Sequence, residues 1–260
     1  DTGENQDSEK GKEINGNIVV NYDQIEPTTF ANDSWETIAT VVHDGQMDAY
    51  PVGSEKEVVL SDGKKYQVRV ANNTTPDECN GTDFSQTACG FVVEFVDIVE
   101  RRAMNSTGTN VGGWPVTTMR TYANRDFFNK LPEDLRNVII DTKVISGHGS
   151  TAGETNFTST DKIYLLSAHE VWEDETTDNV LTDDTAYNNT RQLDYYNSKG
   201  VTTDNYSGAI KKYNTSNSYW WLRAASSSAN TRFLRVTSYG SWYADYASTT
   251  AGVSPAFRIG

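Results

Sequence analysis

The strongest strand pattern in this 260-residue chain is GFVVEFVDIV, residues 90–99. No window approaches ~18 consecutive apolar residues, so the sequence excludes a transmembrane helix. Hydrophobic residues make up only 36% of the chain, whereas aromatic residues reach 11%. A chain of this length with that aromatic content has enough material for a core. This is not the composition of a disordered chain, and one large domain or two small ones are expected.

The chain is strongly acidic, with a formal net charge of −14. Phosphate binding is chiefly electrostatic, so binding to nucleic acid or insertion into an anionic membrane surface is not expected. Neither a GxxxxGK[ST] nor a GxSxG motif is present. The HExxE motif at His169 lacks the second histidine of a zinc protease, and no helical pattern follows the glycine-rich stretch 147–153. We therefore expect no enzymatic activity, no cofactor and no catalytic metal.

Two cysteines, Cys79 and Cys89, lie in the polar stretch DECNGTDFSQTACG. A disulfide between them would close a loop of about 10 residues and would indicate an oxidising, extracellular setting. Two free thiols are the alternative. A zinc site is disfavoured, because two cysteines cannot complete a tetrahedral shell and the histidines are far away in sequence.

Residues 1–16 carry a net charge of −3 without apolar periodicity, which predicts a flexible tail. Residues 17–260 are predicted to form a single domain. Residues 174–218 are rich in Asp, Thr, Asn and Tyr and are interpreted as a polar insertion or a set of surface loops. Apolar periodicity predicts helices over 35–45 and 114–130, and strands over 17–25, 57–60, 66–70, 90–99, 138–146, 162–166 and 219–260.

Residues 213–260 contain no Lys, Glu, Gln or Met, although these types make up about one residue in six elsewhere. The segment is rich in Ser, Ala, Tyr, Thr, Asn and Arg, and its net charge is +3. Antibody-like binding surfaces use this composition, because Tyr gives large contact area and Ser or Asn gives adaptable hydrogen bonds. An ordinary edge sheet rich in Thr, Ser and Tyr is the alternative.

The four residue types absent from 213–260, Lys, Glu, Gln and Met, share a property of their codons. They cannot be reached from an Asn codon by changing its two adenines alone, whereas Ser, Thr, Tyr, Asp, Ala and Arg can. Adenine-directed mutagenesis of Asn codons would leave this pattern.

Several motifs together resemble a known family. They are Gly112-Gly113-Trp114 with Met119-Arg120, then LPEDL at 131–135, TDK at 160–162 with LLS at 165–167, WWLR at 220–223, and the ending GVSPAFRI at 252–259. In these the chain resembles the C-type-lectin-fold variable proteins of diversity-generating retroelements. More broadly it is similar to a surface domain of unknown function from bacteria, phages and archaeal viruses.

The resemblance implies an α+β, C-type lectin fold, in which two main helices pack on small antiparallel sheets with loop insertions. It also implies a variable ligand-binding region at 219–260. The residues expected to vary and to face outward are Ser226, Ser228, Ala229, Asn230, Thr231, Arg232, Arg235, Thr237, Ser238, Tyr239, Ser241, Tyr243, Ala244, Asp245, Tyr246, Ser248 and Thr249. The residues expected to form the framework of this region are Trp220, Trp221, Leu222, Phe233, Leu234, Trp242, Val253, Pro255, Phe257 and Ile259.

Two relatives of that family have motifs that this chain lacks. Sugar-binding C-type lectins use a Glu-Pro-Asn or Gln-Pro-Asp calcium tripeptide, and the nearest match here, Glu26-Pro27-Thr28, lies at the opposite end of the chain. Formylglycine-generating enzymes use paired cysteines late in the chain, whereas Cys79 and Cys89 come early. Neither activity is therefore expected from the resemblance.

The leading functional hypothesis is a non-enzymatic display protein on a cell or virion surface. Its diversified C-terminal face would bind varied protein or glycan partners, with Tyr239, Tyr243, Tyr246, Arg232 and Arg235 as main contacts. The first alternative is a calcium-dependent glycan-binding module that uses loop acids at 174–204, where a structural calcium ion would fit. The second is an enzyme with a site at His148 or His169.

Overall fold

The structure is a computed structural model that describes residues 28–151, 153–174 and 180–260. The predicted tail at 1–16 and the predicted strand at 17–25 lie outside these residues. Strands dominate the described part, which contains thirteen of them. They are β1 (Glu55–Val59), β2 (Lys65–Thr74), β3 (Gly90–Phe95), β4 (Glu100–Arg102), β5 (Thr142–Ser146), β6 (Phe157–Asp161), β7 (Lys211–Tyr213), β8 (Ser216–Ser218), β9 (Trp220–Ala225), β10 (Arg232–Val236), β11 (Trp242–Tyr246), β12 (Ala251–Val253) and β13 (Ala256–Arg258).

The α-helices are short. They are α1 (Trp35–His43), α2 (Thr118–Thr121), α3 (Glu133–Val138), α4 (Ala168–Val171), α5 (Val180–Asp183) and α6 (Asp194–Ser198). A π-helical turn covers Tyr122–Phe127, and 3₁₀ turns cover Met47–Ala49, Asp77–Asn80, Gln86–Ala88, Trp114–Val116, Phe128–Lys130, Tyr187–Asn189 and Ser207–Ala209. In the part of the chain that is described, no helix is long and apolar enough to cross a membrane.

The strands form four sheets. One has the order β1-β2-β3-β13, a second has the order β11-β10-β9-β12-β4, and β5-β6 and β7-β8 are two-stranded. Most pairs are antiparallel, whereas β12 runs parallel to β9. The C-terminal strands join both large sheets, because β12 lies beside β9 and β13 pairs with β3. Strand β9, WWLRAA, is buried along its whole length at the centre of the second sheet.

The expectation of a C-type lectin fold is wrong. The structure is mostly β, with 31% strand and 26% helical residues, and no long helices pack on a sheet in the described part. The predicted helix at 114–130 is interrupted at Thr117, whose backbone is extended (φ −68°, ψ 147°). Thr117 instead caps α2, because its side chain accepts a hydrogen bond from the Arg120 amide at 3.0 Å. The apolar residues of 114–130 have helical spacing, but the cap at Thr117 and the π-helical turn divide the segment into short pieces.

Of the other local predictions, a helix start and a hairpin are confirmed and one strand is wrong. Helix α1 begins where expected, with Ser34 Oγ accepting from the Thr37 amide at 3.0 Å, and the hairpin β1–β2 is confirmed. The predicted strand at 162–166 is wrong: only Tyr164 makes an isolated bridge, to Ala256. The paired strand is β6, which ends at residue 161. An apolar run can be buried on all sides without pairing as a strand. Apolar periodicity therefore does not distinguish a paired strand from a buried segment without strand pairing.

The polar segment at 174–218 is not merely an exposed insertion. Its described residues place Tyr187, Leu193, Tyr196 and Val201 in the core at 0–3% exposure. Lys211 is also buried, and its Nζ donates to Glu94 Oε2 at 2.7 Å. The few apolar and aromatic residues of this segment thus occupy core positions, although the average composition of the segment is polar.

In the structure Cys79 and Cys89 form a disulfide across ten residues of chain. Loop-entropy arithmetic assigns such a closure about 3 kcal/mol of stability. We expect the double variant C79S/C89S to unfold in urea with a free energy lower by about that amount. Wild-type protein in dithiothreitol should match the variant. A wild-type curve that dithiothreitol leaves unchanged would show that the bridge contributes nothing.

Candidate ligand-binding site

The residues expected to vary cluster on one hairpin and its flanking loops. Strands β10 and β11 pair antiparallel and form the free end of the five-stranded sheet. The loop before β10, the turn between the strands and the turn after β11 carry the remaining positions. From N- to C-terminus these are Ser226, Ser228, Ala229, Asn230 and Thr231, then Arg232 and Arg235 in β10, then Thr237, Ser238, Tyr239 and Ser241, then Tyr243, Ala244, Asp245 and Tyr246 in β11, and finally Ser248 and Thr249.

Three tyrosines are the most exposed aromatic residues of this region. The exposed fractions of Tyr239, Tyr243 and Tyr246 are 72%, 51% and 51%. The residues expected to form the framework are buried, with the exception of Trp242, which is half-buried. These framework residues are Trp220, Trp221, Leu222, Phe233, Leu234, Trp242, Val253, Pro255, Phe257 and Ile259.

Arg235 is largely covered, with 12% of its side chain exposed, and Ser226 is the one fully buried residue among those expected to face outward. Ser226 is buried, its Oγ donates to Asp183 Oδ1 at 2.9 Å, and its backbone bridges to Asp184. The outward position of Ser226 is therefore a wrong prediction. The reason is that the buried strand β9 continues into this bridge, which the serine-rich sequence does not reveal.

The hairpin exposes side chains on both of its faces. Arg232 lies opposite Tyr246, and Arg235 lies opposite Tyr243. Side chains three positions apart on a strand point to opposite faces. The two Arg–Tyr pairs therefore lie on different sides of the hairpin, and the expectation of a single outward face is wrong. Successive side chains of a strand alternate between the two faces of a sheet, so a surface-lying hairpin that is not covered on either side presents residues of both faces.

One face is held rigid by a stacked arginine. The guanidinium carbon of Arg235 lies 3.9 Å from the ring centroid of Tyr219 and 5.2 Å from that of Tyr243. Its Nη2 pairs with Asp245 Oδ2 at 3.0 Å. Cation–π contacts and an ion pair together restrict the rotamers of these side chains. This face therefore presents preorganised aromatic groups.

The other face borders a cleft of about 460 Å³. Arg232, Trp242 and Ala244 project from this face by register. The opposite wall is formed by the end of α5 and the start of the loop before β10. All residues that line the cleft are Thr182, Asp183, Ser227, Ser228, Arg232, Trp242, Tyr243 and Ala244.

Asn110, which no sequence pattern indicated, holds the loop before β10. It is 1% exposed, and its Nδ2 donates to three carbonyl oxygens: Ser226 at 2.9 Å, Ala229 at 3.0 Å and Arg232 at 2.8 Å. Gly149 lies close by with φ +68°, and a Cβ there would come within 3.0 Å of this amide nitrogen. The glycine-rich stretch 147–153 thus leaves room for Asn110, and nothing in the sequence marked the pair.

The HExxE motif serves the fold. Glu170 and Arg223 are fully buried, and Arg223 Nη2 and Nη1 bind the two carboxylate oxygens at 2.5 and 2.6 Å. Burial alone would raise the pKa of Glu170, but Arg223 and hydrogen bonds from Thr87 and Ser167 hold it below its usual value. This ion pair fixes β9, which pairs with β10 of the hairpin.

Neither of the two histidines expected as alternatives for catalysis, His148 and His169, lines the cleft. The ring of His169 stacks on Tyr187 with centroids 4.0 Å apart, and its Nδ1 lies 2.9 Å from the Tyr187 carbonyl. The backbone amide of His148 is bound by Thr185 Oγ1. In the described part of the chain, neither imidazole ring hydrogen-bonds to a Ser, Thr or Cys side chain. Of these residues, no three His, Cys, Asp or Glu form a group that could hold a metal ion.

A larger groove of about 640 Å³ lies against β2 and the turn between β7 and β8. Its two lysines are already paired: Lys65 with Glu57 at 2.9 Å, and Lys64 with Asp62 at 3.5 Å. The groove lacks the aromatic exposure of the hairpin. We therefore place the candidate site at β10–β11.

These features define a β-rich domain with an exposed aromatic edge hairpin. Residues 92–260 match the family described as a domain of unknown function, DUF6273, and the chain belongs to that family. No curated protein and no solved structure matches the chain.

Proposed function

We propose that this chain is a non-enzymatic ligand-binding protein that displays the hairpin β10–β11 on a cell or virion surface. The observation that carries the proposal is the exposure of Tyr239, Tyr243 and Tyr246 on one edge hairpin. The disulfide adds support for a setting outside the cytosol. The partner class is a protein or a glycan on another surface.

The physical support is the contrast between a stiff base and an exposed rim. Strand β9, which pairs with β10 in the same sheet, is buried, whereas the tyrosines of the hairpin are half or more exposed. Tyrosine has few rotatable bonds, so it buries a large area on binding at low entropic cost. Exposed aromatic residues on a rigid element are typical of residues that dominate binding energy.

We also propose that the hairpin and its loops are diversified by adenine-directed mutagenesis. The support is the absence of Lys, Glu, Gln and Met from residues 213–260 and the clustering of the expected variable positions. Sequencing the gene's neighbourhood tests this. A near-copy of the 3′ end with Asn codons at the variable positions, beside a reverse transcriptase gene, is expected. A neighbourhood without either would contradict diversification and leave the binding proposal standing.

The binding proposal predicts the outcome of an array experiment. Labelled wild-type protein is applied to an array of defined glycans and peptides, and each bound probe is tested again with Y239S/Y243S. We expect affinity for the bound probes to fall at least tenfold, because the variant removes two aromatic contacts. We expect the melting temperature to change by less than ~2 °C, since both rings are exposed.

The matched control is Val59→Ser, which removes an exposed apolar side chain from β1 in the other sheet; Val59 is 44% exposed. The control should bind as wild type does. Unchanged binding by Y239S/Y243S, or an array on which wild-type protein binds nothing, would overturn the proposal.

A further inference from the structure

The cleft beside the hairpin is lined by Arg232, which forms no ion pair within the part of the chain that the structure describes. Among residues 28–151, 153–174 and 180–260, no carboxylate lies within ion-pair distance of Arg232, and its guanidinium donates no hydrogen bond. Its one recorded side-chain contact is with the Tyr246 ring, whose centroid lies 5.1 Å from Cζ. By contrast, Arg235 pairs with Asp245 and Arg223 pairs with Glu170. Arg136 and Arg258 are also half-buried without an ion pair in the described part of the chain, but of these three arginines only Arg232 lines the cleft.

A guanidinium of this kind fits a carboxylate. Its planar set of N–H donors matches the two oxygens of a carboxylate group, and such pairs are shorter and stronger than neutral hydrogen bonds. A cleft of about 460 Å³ lies within the usual range of small-ligand sites, which is ~300–1,000 Å³. The geometry therefore favours a small anionic group that enters the cleft and not a flat contact.

The rest of the lining favours a sugar over a peptide. Trp242 is half-buried on the same hairpin face and offers an aromatic wall for the C–H face of a pyranose ring. Ser227 and Ser228 bring hydroxyl groups, and Asp183 brings a carboxylate. Oδ1 of Asp183 is already bound by Ser226 Oγ and the Ser228 amide, both at 2.9 Å. These short polar groups around a ring suit the hydroxyls of one or two sugar units.

We propose that the cleft binds an acidic sugar unit, with the sugar carboxylate on the Arg232 guanidinium and the pyranose ring against Trp242. This inference rests on the proposed function and deepens it by naming the ligand class of one part of the hairpin surface. Tyr219, which stacks on Arg235 on the opposite face, then contacts other parts of the ligand-bearing surface, whereas Tyr243 contacts Arg235 and also borders the cleft.

The test uses isothermal titration with D-galacturonic acid and its trimer, against D-galactose and its trimer as neutral counterparts. We expect measurable binding of the acids, weakened by salt, and at least tenfold weaker binding of the neutral sugars. Arg232→Gln should reduce acid binding at least tenfold. Arg232→Lys keeps the charge without the planar fork, so we expect an intermediate loss. Arg101→Gln, at an exposed arginine of β4, should bind as wild type does.

A melting temperature of R232Q within ~2 °C of wild type shows that the variant is folded. If R232Q unfolds, the R232K titration and the neutral sugars decide the outcome. Equal binding of acid and neutral sugars, unchanged binding by R232Q, or binding of a hexaglutamate peptide but not of the sugar acids would overturn the inference. If array ligands are found and lost in Y239S/Y243S while no sugar acid binds, the proposed function survives and only this inference fails.

Discussion

Replacing Glu170 by glutamine is expected to lower the free energy of unfolding by about 3–5 kcal/mol. The carboxylate of Glu170 accepts hydrogen bonds from Arg223, Thr87, Thr190 and the Ser167 amide, all in a buried site. A glutamine amide would turn an N–H₂ group toward these donors and would leave the Arg223 charge unpaired. Urea denaturation of both proteins at pH 7 measures the difference.

Two further measurements separate this account from a general packing defect. Arg223→Met and Glu170→Gln remove the same ion pair, so the double variant should lose clearly less than the sum of the single losses. The pKa of Glu170 is held below its unfolded value of ~4.3, so the stabilisation is complete above that pH and is lost as the pH falls through the lower folded pKa. The gap between wild type and Glu170→Gln should thus narrow in acid. A loss below ~1 kcal/mol would contradict the account.

Replacing Asn110 by aspartate is expected to cost at least about 3 kcal/mol and to abolish binding at the hairpin. The two side chains have nearly the same shape, but the donor Nδ2 becomes an oxygen 2.8–3.0 Å from three carbonyl oxygens. The buried carboxylate would repel all three, so the loop that carries Ser228 to Thr231 should detach. Urea denaturation and the array binding described above measure the two effects.

Asn230→Asp is the matched control, because Asn230 is exposed in the same loop. We expect it to change stability by less than ~0.5 kcal/mol. A protonated carboxyl has an O–H that can donate to one carbonyl, so the Asn110→Asp deficit should shrink as the pH falls. A folded Asn110→Asp protein with wild-type stability and binding would show that the amide does not organise the site.

Local sequence patterns predicted much of the strand content but not the architecture. The hairpin β1–β2, the strand at β3 and the C-terminal strands followed from alternation and a turn signal. The fold class was not predicted correctly, because the resemblance in scattered motifs implied two main helices packed on small sheets. A single cap at Thr117 and a π turn were enough to break the second of them.

The composition of the C-terminal segment indicated where the candidate site lies. It did not indicate the residues that hold the site in place. The exposed tyrosines lie where the Tyr-rich segment suggested, but their distribution over two faces depends on strand register, which a single sequence does not fix. Asn110 lies more than a hundred residues from the carbonyls it holds. Ser226 looks like Ser227 and Ser228 in sequence, but it is buried by its backbone bridge to Asp184 and its hydrogen bond to Asp183.

The central claim is that the hairpin β10–β11 and its loops are the ligand-binding surface. Backbone amide exchange of wild-type protein, measured with and without a probe that binds on the array, tests it most directly. The account predicts slowed exchange confined to residues 226–249. Slowed exchange in the groove beside β2, β7 and β8, with no change at 226–249, would contradict it.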